Sequence, residues 1–408
     1  MPHTILCFSS QRWDDPMWTN KQHIMSRLAR EHRVIHVDFG APPLEKYIFD
    51  RARVKPADLL HPLRLLTDGV VHRGGGLHVS SSWIPLPLLA LPRENRVRDF
   101  FQFDAKIWML RQFLARERIE DPILWVYHPG YADALASLPR KLLVYDCVDE
   151  YSAFPTNKGR AWIAEREKRL CEAADLVFTT SNTLYDKKKP YNPENTHLVH
   201  NVGDAEHFRA AMREDTPVPK EIARLPRPVL GFVGAVSDYK LDMDWILHAA
   251  RRRPDWSFAI IGPVGVADPT TSTAALRKQP NVHLIGHRPY AELPAYVKGF
   301  DVALIPYRIN EYTRSVFPIK FFELLATGKP VVISNLPSLE EFYPHVLVAT
   351  TADEFVQRCE QALREGDQGR EARVALAEAN SWPKRIGTLM GLIEAKLADK
   401  ARAANARA

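Results

Sequence analysis

The 408-residue chain contains few cysteines and no long uncharged apolar run. Its four cysteines are widely scattered and form no CxxC pair: Cys7, Cys147, Cys171 and Cys359. This spacing argues against disulfides and against a zinc site, and it favours a reducing, cytoplasmic setting. Because no run of about 18 uncharged apolar residues is present, the sequence predicts no transmembrane helix. The N-terminal stretch MPHTILCFSSQRWDDP enters a strand and then acidic residues, so no signal peptide is expected.

Two classes of ligand-binding protein lack their sequence signatures here. The net charge of +6 suits an anionic partner, which could be nucleic acid, an anionic membrane or an anionic substrate. A nucleic-acid-binding protein would carry a basic stripe with base-stacking aromatics or a known module, and the sequence has neither. An NAD-dependent dehydrogenase would carry GxGxxG after the first strand of a domain, where the N-terminal half has SSQRW. No nucleic-acid partner is therefore expected, and a dehydrogenase is disfavoured.

Two series of short apolar strands are present. The first comprises TILCF (4–8), VIHVD (34–38), ILWVYH (123–128), KLLVYD (141–146) and LVFTT (176–180). The second comprises VLGFVG (229–234), FAIIG (258–262), VHLIG (282–286), DVALIP (301–306), VVIS (331–334) and VLVA (346–349). Helical patterns separate the strands, as over 19–31 and 97–114, whereas the proline-punctuated stretch 83–92 favours a loop. This alternation predicts an α/β fold with two Rossmann-like, doubly wound domains that face each other across a cleft.

The domain boundaries can be placed from composition. The chain length predicts two domains of about 200 residues each. The stretch AAMREDTPVPKEIARLPRP is polar and rich in proline, as is typical of a linker. The sequence therefore predicts an N-terminal domain over 1–205, a linker over 206–227 and a C-terminal domain over 228–375. The last residues, 401–408, are expected to be frayed.

The stretch VFPIKFFELLATGKPVVIS (316–334) predicts a buried helix, a tight turn and a buried strand. Pro318 suits the first turn of the helix, and Gly328 suits a left-handed cap at its end. Lys320 and Glu323 interrupt the apolar surface and share one helical face. They form either an i,i+3 ion pair, worth roughly 0.2–0.5 kcal/mol, or polar contacts to a ligand.

Ligands of doubly wound sheets bind where strands end and helices begin. After the strand VLGFVG, Gly234 allows phosphates to approach the backbone, and Lys240 offers a positive charge. In the loop YRINEYTRSVF, Arg308 and Arg314 are either phosphate-binding residues or solvated loop arginines. The N–H groups that open the next helix also attract anions. The carboxylate of Glu323 matches the paired hydroxyls of a ribose, so a nucleoside diphosphate could be bound by this one region.

At this point a family resemblance becomes specific. The segment PIKFFELLATGKPVV resembles the donor-binding helix of GT-B-fold glycosyltransferases, in particular the family-4-like (group 1) enzymes that build bacterial surface polysaccharides. Three further segments are similar to that family in the same order. NVGDAEHF resembles its interdomain junction, VLGFVGAV the first strand of its C-terminal domain, and NVHLIGHRPYAELPAYVKGFDVALIPY its base-binding region. The resemblance covers most of 175–382 and extends only loosely to the N-terminal domain.

The resemblance implies a nucleotide-sugar-dependent glycosyltransferase of the hexosyltransferase type. Its donor would be a nucleotide-diphosphate sugar and its acceptor a glycan or a lipid-linked molecule. It further implies that Glu323 binds the ribose hydroxyls and that a C-terminal helix, over 376–400, crosses back to the N-terminal domain. Two positions depart from the family pattern: Ser315 replaces a glutamate and Ala235 replaces an arginine. Arg314 or Lys320 is the candidate to compensate for them.

The N-terminal domain supplies three candidate catalytic residues. His128 ends the strand ILWVYH, and Asp146 and Asp149 follow LLVY. His128 is similar to a histidine that contacts the donor sugar in related enzymes. The alternative is a hydrogen-bonded structural histidine with two turn-forming aspartates, and for Asp146 the structural role is favoured. Asp149 is the candidate base for an inverting reaction, whereas a retaining reaction, narrowly preferred, needs no strong protein base.

Two other functions stay open at this stage: a sugar-nucleotide epimerase of the same fold and a non-catalytic nucleotide-sugar-binding subunit. No cofactor and no metal are expected, because basic residues can offset the charge of the leaving diphosphate and no paired-aspartate metal motif accompanies them. A lipid-linked acceptor and the net positive charge favour a cytoplasmic protein that touches the inner membrane face peripherally.

Overall fold

The chain forms two compact units. The computed structural model describes residues 2–15, 17–38, 70–80, 103–154, 160–266 and 268–406. The first unit comprises Met1–Thr180, Leu184–Val199 and Leu389–Ala408, and the second comprises Ser181–Thr183 and His200–Thr388. The predicted loop at 83–92 and the first part of the predicted helix 97–114 lie outside the described residues.

The sheet of the first unit is parallel apart from one hairpin. Its strands are β1 (Thr4–Phe8), β2 (Arg33–Val37), β3 (Val71–Gly74), β4 (Leu77–Ser80), β5 (Ile123–Val126), β6 (Leu142–Cys147), β7 (Leu176–Thr179) and β8 (Thr196–Leu198). They are arranged in the order β3-β4-β2-β1-β5-β6-β7-β8. The five predicted strands of the first series are confirmed. The antiparallel β3–β4 pair departs from the predicted parallel pattern, because only Gly75 and Gly76 connect the two strands, too short a link for a parallel crossover.

The helices of the first unit cover both faces of this sheet, as in other doubly wound folds. They are α1 (Asn20–Leu28), α2 (Ala105–Arg116), α3 (Arg160–Ala173) and α4 (Asn182–Lys188), whose first two residues belong to the second unit. Helix α1 begins with a capping box between Thr19 and Gln22. The core packs apolar side chains of the strands against α2 and α3, for example Leu6, Val126 and Leu110.

The sheet of the second unit is entirely parallel among its described strands. They are β9 (Val229–Val233), β10 (Ser257–Ile261), β11 (Val282–Gly286), β12 (Val302–Ile305), β13 (Val331–Ser334) and β14 (Leu347–Ala349). Their order is β11-β10-β9-β12-β13-β14. All six predicted strands of the second series are confirmed. The strand order reverses between β9 and β12, and the crevice at such a switch point is where doubly wound sheets bind ligands.

The helices of the second unit include two short ones inside the predicted linker. They are α5 (Ala205–Phe208), α6 (Lys220–Ala223), α7 (Met243–Arg252), α8 (Ala274–Lys278), α9 (Leu293–Lys298), α10 (Lys320–Leu325), α11 (Ala352–Glu365) and α12 (Arg370–Ala379). The segment 206–227 is therefore not a free linker. Phe208 and Ile222 are buried, and a Cβ on Gly299 would stand 2.4 Å from the Ile222 side chain. These apolar residues fold the segment onto the second unit despite its polar composition.

The C-terminal segment forms two helices instead of the single predicted helix over 376–400. After α12, Asn380 leaves helical geometry, and α13 runs from Trp382 to Asn405. Residues 401–405 are thus helical, where a frayed tail was expected. Trp382 lies in the second unit, whereas Ile393 lies in the first. Among the residues that the structure describes, no helix has the length and apolarity needed to span a bilayer.

Candidate functional site

Helix α10 is the short buried helix that the sequence predicts. It begins at Lys320, two residues after the predicted start at Pro318, and contains six residues. The apolar side chains of Phe321, Phe322, Leu324 and Leu325 are wholly buried. Gly328 has a φ of +72°, which confirms the predicted left-handed conformation after the helix. The helix therefore holds its polar residues in a rigid apolar setting.

Glu323 is a charged residue of this region that is wholly buried, with 0% of its surface exposed. Its Oε1 accepts a hydrogen bond of 2.6 Å from the hydroxyl of Tyr290. Its Oε2 accepts from the ammonium of Lys320, so the predicted i,i+3 ion pair is present. Both carboxylate oxygens thus have a protein partner. A buried carboxylate without such partners would be strongly destabilising.

Lys320 lies against an aromatic cluster, which we define as His207, Phe208 and Tyr290. Its Nζ stands 5.2 Å from the ring centre of Phe208 and 4.9 Å from that of Tyr290. The rings of His207 and Tyr290 are stacked, with centres 4.9 Å apart. His207 Nε2 also donates a hydrogen bond of 3.0 Å to the Tyr290 carbonyl. Cation–π contacts and the ion pair together fix the ammonium beside Glu323.

The junction segment NVGDAEHF packs directly against α10. A Cβ on Gly203 would stand 2.6 Å from the backbone nitrogen of Glu323 and 2.9 Å from its Cγ, so this position requires glycine. Asn201 Nδ2 donates a hydrogen bond of 2.8 Å to the Phe317 carbonyl. Asp204 caps α5, the helix that carries two residues of the aromatic cluster. Two segments that resemble one family therefore meet in space.

The loops after β9 and β10 touch through their backbones. The N–H of Gly234 donates to the Ile261 carbonyl over 2.9 Å. A Cβ on Gly262, whose φ is +145°, would stand 1.8 Å from the Gly234 carbonyl oxygen. Gly234 thus lies where the sequence predicted, at the carboxyl edge of the sheet. The sequence analysis did not single out Gly262, although a glycine directly after a strand is a signal for close backbone approach.

Lys240 and Arg308 are brought together as neighbours. The N–H of Arg308 donates to the Lys240 carbonyl over 2.9 Å, and Lys240 Nζ lies 5.0 Å from the ring centre of Tyr307. The Arg308 guanidinium forms an ion pair of 2.8 Å with Asp244. Arg308 thus has an ion-pair partner within the second unit, and its role as a phosphate-binding residue stays a prediction. Arg314 is exposed on the same loop.

Ser315, which replaces a glutamate of the family pattern, is wholly buried. Its hydroxyl finds no hydrogen-bond partner in the part of the chain that the structure describes. Its carbonyl accepts a hydrogen bond of 2.9 Å from the Ser181 hydroxyl. The residue thus fixes the loop before α10 through its backbone.

In the first unit, His128 follows β5 and is half-buried. The N–H of Gly130 donates to His128 Nδ1 over 3.0 Å. Because Nδ1 accepts this bond, the proton of the neutral ring is on Nε2. The ring also packs edge-on against Tyr151, with centres 5.1 Å apart. His128 Nδ1 is therefore occupied by a backbone contact, and contact of this residue with the donor sugar stays a prediction.

Asp146 lies within β6 and Asp149 follows that strand, and the two residues differ in environment. Asp146 is wholly buried, and its Oδ2 accepts a hydrogen bond of 3.2 Å from the Trp125 indole. This contact supports a structural role for Asp146. Asp149 is half-buried. The buried ammonium of Lys21 lies within electrostatic reach of both: burial lowers the pKa of Lys21, and Asp149 and Asp146 act in the opposite direction.

The loop that carries Asp149 is anchored by a buried charged network. Lys188 Nζ lies 2.7 Å from Glu167 Oε2 and 3.4 Å from Glu150 Oε1. The Tyr145 hydroxyl donates to Glu167 over 2.5 Å. Burial raises the pKa of Glu167, and Lys188 opposes that effect. This network was not predicted from the sequence, because its members come from three separated segments.

A further buried lysine lies near the carboxyl edge of the first sheet. Lys106 on α2 donates to the Tyr131 hydroxyl over 3.1 Å and to the Asp38 carbonyl. Burial lowers the pKa of Lys106 to about 7. A lysine within an apolar helical pattern was the available signal, but such residues usually extend to the surface.

Comparisons with known proteins agree with this architecture. Residues 227–365 match the family described as "Glycosyl transferases group 1". A Bacillus subtilis (strain 168) protein named "Putative teichuronic acid biosynthesis glycosyltransferase TuaH" is 32% identical over 275 residues, which cover 64% of this chain and 68% of that protein.

Solved structures of glycosyltransferases share the fold over nearly the whole chain. Sucrose-phosphate synthase from Thermosynechococcus elongatus has a TM-score of 0.70 and 15% identity, covering 97% of this chain and 100% of its own. Anabaena Alr3699/HepE, solved in complex with UDP and glucose, has a TM-score of 0.68 and 13% identity with the same coverage. These likenesses confirm the predicted GT-B fold, and with the family match and the Bacillus relative they lead to one conclusion: the chain belongs to the group 1 glycosyltransferases.

Proposed function

We propose that the protein transfers a sugar from a nucleoside-diphosphate sugar to a glycan or lipid-linked acceptor during synthesis of a surface polysaccharide. The observation that carries the proposal is Glu323, an enclosed carboxylate on the α-helix that follows the switch-point strand β12 after a loop. The relative named for teichuronic acid biosynthesis supports the pathway class. The neighbour solved with UDP and glucose supports a UDP-sugar as the first donor to test.

The second unit would hold the nucleotide through two groups of residues. Glu323 would accept hydrogen bonds from the ribose hydroxyls, because an ionised carboxylate offers two acceptor oxygens. Gly234 would let the diphosphate approach the backbone after β9. Lys240, Arg308 and Arg314 would supply positive charge, and Arg308 would exchange its partner Asp244 for a phosphate.

The reaction would then be a substitution at the anomeric carbon of the sugar. The bond from that carbon to the diphosphate oxygen breaks, and a bond to the acceptor oxygen forms. Under retention, the narrowly preferred course, the acceptor proton passes to the departing phosphate. His128 would contact the donor sugar, and Asp149 would not take the proton. Under inversion, Asp149 would instead take the proton.

Nucleotide identity can be tested by thermal shift with UDP, GDP, ADP and dTDP. A ligand at 100 times its Kd raises the free energy of unfolding by about 2.7 kcal/mol. The chosen nucleotide sugar is then incubated with the protein, with and without a lipid-linked acceptor. Transfer that needs the acceptor supports the proposal. An altered donor without acceptor would indicate an epimerase, and binding without conversion would indicate a non-catalytic subunit.

We propose that transfer needs no divalent metal, because lysine and arginine side chains of the second unit can offset the charge that develops on the diphosphate. The test is transfer in the presence of excess EDTA. Full activity is expected. Activity that EDTA abolishes and manganese restores would contradict the proposal.

A peripheral contact with an anionic membrane would bring the protein to a lipid-linked acceptor. Helix α2 supports it with Trp108, which is 62% exposed, and with Arg111, exposed one turn later. Tryptophan and arginine are suited to the headgroup region. The protein should float with anionic liposomes at low salt, and Trp108→Ala should reduce the floated fraction. Recovery of no protein with the vesicles would count against this contact.

A further inference from the structure

The carboxylate of Glu323 is closed to ligands in the structure. None of its surface is exposed. Its two oxygens are engaged by the Tyr290 hydroxyl and the Lys320 ammonium. A ribose hydroxyl must come within about 3 Å of a carboxylate oxygen to form a hydrogen bond. Nucleotide binding at Glu323 therefore requires that groups covering the carboxylate rearrange, and Tyr290 and Lys320 are the two whose polar atoms contact its oxygens.

Lys320 is the less suitable group to move. It lies on α10 itself, one turn before Glu323, and its ammonium packs against two aromatic rings. Its departure would leave the buried carboxylate without a counter-charge, which is costly. A neutral ribose hydroxyl could not restore that charge.

Tyr290 shares this aromatic packing but differs from Lys320 in charge and in position. It is half-buried, and it opens a short 3-10 turn after β11, on an element separate from α10. Its contact with Glu323 is a hydroxyl donating to a carboxylate oxygen over 2.6 Å. A ribose hydroxyl makes the same type of contact. Exchange of one hydroxyl for the other leaves the charge of Lys320 and Glu323 paired throughout.

We propose that the Tyr290 hydroxyl occupies the Glu323 carboxylate in the ligand-free protein, and that a ribose hydroxyl displaces it when the nucleotide binds. The inference rests on the proposed function, since it takes Glu323 as the ribose-binding residue. Tyr290 is then a residue that sets nucleotide affinity. A competitor that must be displaced lowers the apparent affinity in proportion to the fraction of protein that is open.

The test compares Tyr290→Phe with the wild-type chain by isothermal titration with UDP, or with whichever nucleoside diphosphate the thermal-shift panel selects. The phenyl ring keeps the ring contacts with His207 and Lys320, and the substitution removes the hydroxyl that donates to Glu323. We expect Tyr290→Phe to bind the nucleotide roughly tenfold more tightly, since hydrogen bonds to charged groups are among the stronger ones. Tyr343→Phe is the matched control: its hydroxyl donates to Asn335 over 2.5 Å, so its loss should leave the Kd unchanged.

Two further ligands identify the group that is displaced. A 2′,3′-dideoxynucleoside diphosphate has no ribose hydroxyl to place on Glu323, so its Kd should not improve in Tyr290→Phe. Inorganic pyrophosphate should also bind both proteins equally. Equal tightening for the dideoxy ligand would show that the ring, and not the hydroxyl exchange, governs affinity. That result would overturn the proposal.

The possible failures can be told apart. If Tyr290→Phe binds the nucleotide as wild type does, or more weakly, the displacement is wrong. If Glu323→Ala still weakens binding in that case, Glu323 remains the ribose-binding residue, but Tyr290 does not compete with the ribose for it. If Glu323→Ala binds the nucleotide as tightly as wild type, the ribose assignment fails and the displacement fails with it. Thermal melts of each variant establish that it is folded at the titration temperature.

Discussion

Gly203 and Glu323, 120 positions apart, approach so closely that a single methyl group would not fit between them: a Cβ on Gly203 would stand 2.6 Å from the Glu323 backbone nitrogen. The junction segment is therefore part of the wall that positions α10. Since α10 also packs wholly buried phenylalanines, a displacement of the helix cannot be absorbed locally.

We expect Gly203→Ala to push α10 away and to displace Glu323 from its partners. Overpacking of this kind destabilises by about 1–3 kcal/mol. The variant should also lose nucleotide affinity. The measurements are chemical denaturation and titration with the selected nucleoside diphosphate. Gly387→Ala is the control: it lies in α13 with no atom within 4 Å of its added methyl. The free energy of unfolding of that control should rise by about 0.5–1 kcal/mol, because alanine has a higher helix propensity than glycine. If the Gly203→Ala protein is as stable as wild type, the junction segment can shift to accommodate the added methyl group, and the prediction is wrong.

Glu323→Ala should weaken nucleotide binding by about 1.5–3 kcal/mol, the range for a charge-assisted hydrogen bond. It also removes the counter-charge of Lys320, so Glu323→Gln is the gentler variant and should weaken binding with a smaller loss of stability. Titration with nucleoside diphosphate measures both. Glu340→Ala, at an exposed glutamate of the same unit, should have no effect. Unchanged affinity in both Glu323 variants would exclude this residue from ribose binding.

The stereochemistry of transfer decides the role of Asp149. Under retention, Asp149→Asn should keep appreciable turnover, because the leaving phosphate takes the proton. Under inversion it should lose about 10²–10⁴-fold in rate, the usual contribution of a general base. Proton NMR of the anomeric signal in the product identifies the course directly. Asp121→Asn, at an exposed aspartate of the same unit, controls for the loss of one negative charge. An inverted product would overturn the preference for retention.

Lys106 should make stability depend on pH. Burial lowers its pKa from 10.5 to about 7 in the folded protein, so between these values the unfolded chain binds the extra proton. Stability contributed by this residue therefore rises with pH across that window and is lowest below pH 7. Lys106→Met should flatten the rise, measured by denaturation at about pH 6 and pH 9. Lys168→Met, at an exposed lysine of α3, should leave the rise intact. If the free energy of unfolding of Lys106→Met still rises with pH as steeply as that of wild type, Lys106 is not the group that causes the pH dependence.

Most strands of the two sheets could be predicted from the sequence, because a strand that is buried on both faces is a continuous run of apolar residues. Runs such as TILCF and VVIS are continuous, apolar and rich in β-branched residues, and they coincide with β1 and β13. The conformation of Gly328 could also be predicted locally, because few residues other than glycine adopt the left-handed conformation that ends a helix. The β3–β4 hairpin and the break between α12 and α13 were missed, although the Gly75-Gly76 turn and Pro383 were local signals for them.

The chain by itself thus determined its strands, its α/β class and the helix that carries Lys320 and Glu323, all of which depend on neighbouring residues. Only the tertiary structure decided what those two side chains touch. Tyr290 reaches Glu323 from β11's loop, and Gly203 reaches it from the junction, through contacts between distant segments. Such contacts depend on the strand order β11-β10-β9-β12-β13-β14, and strand order is set by packing of the whole sheet, not by any local pattern of residues.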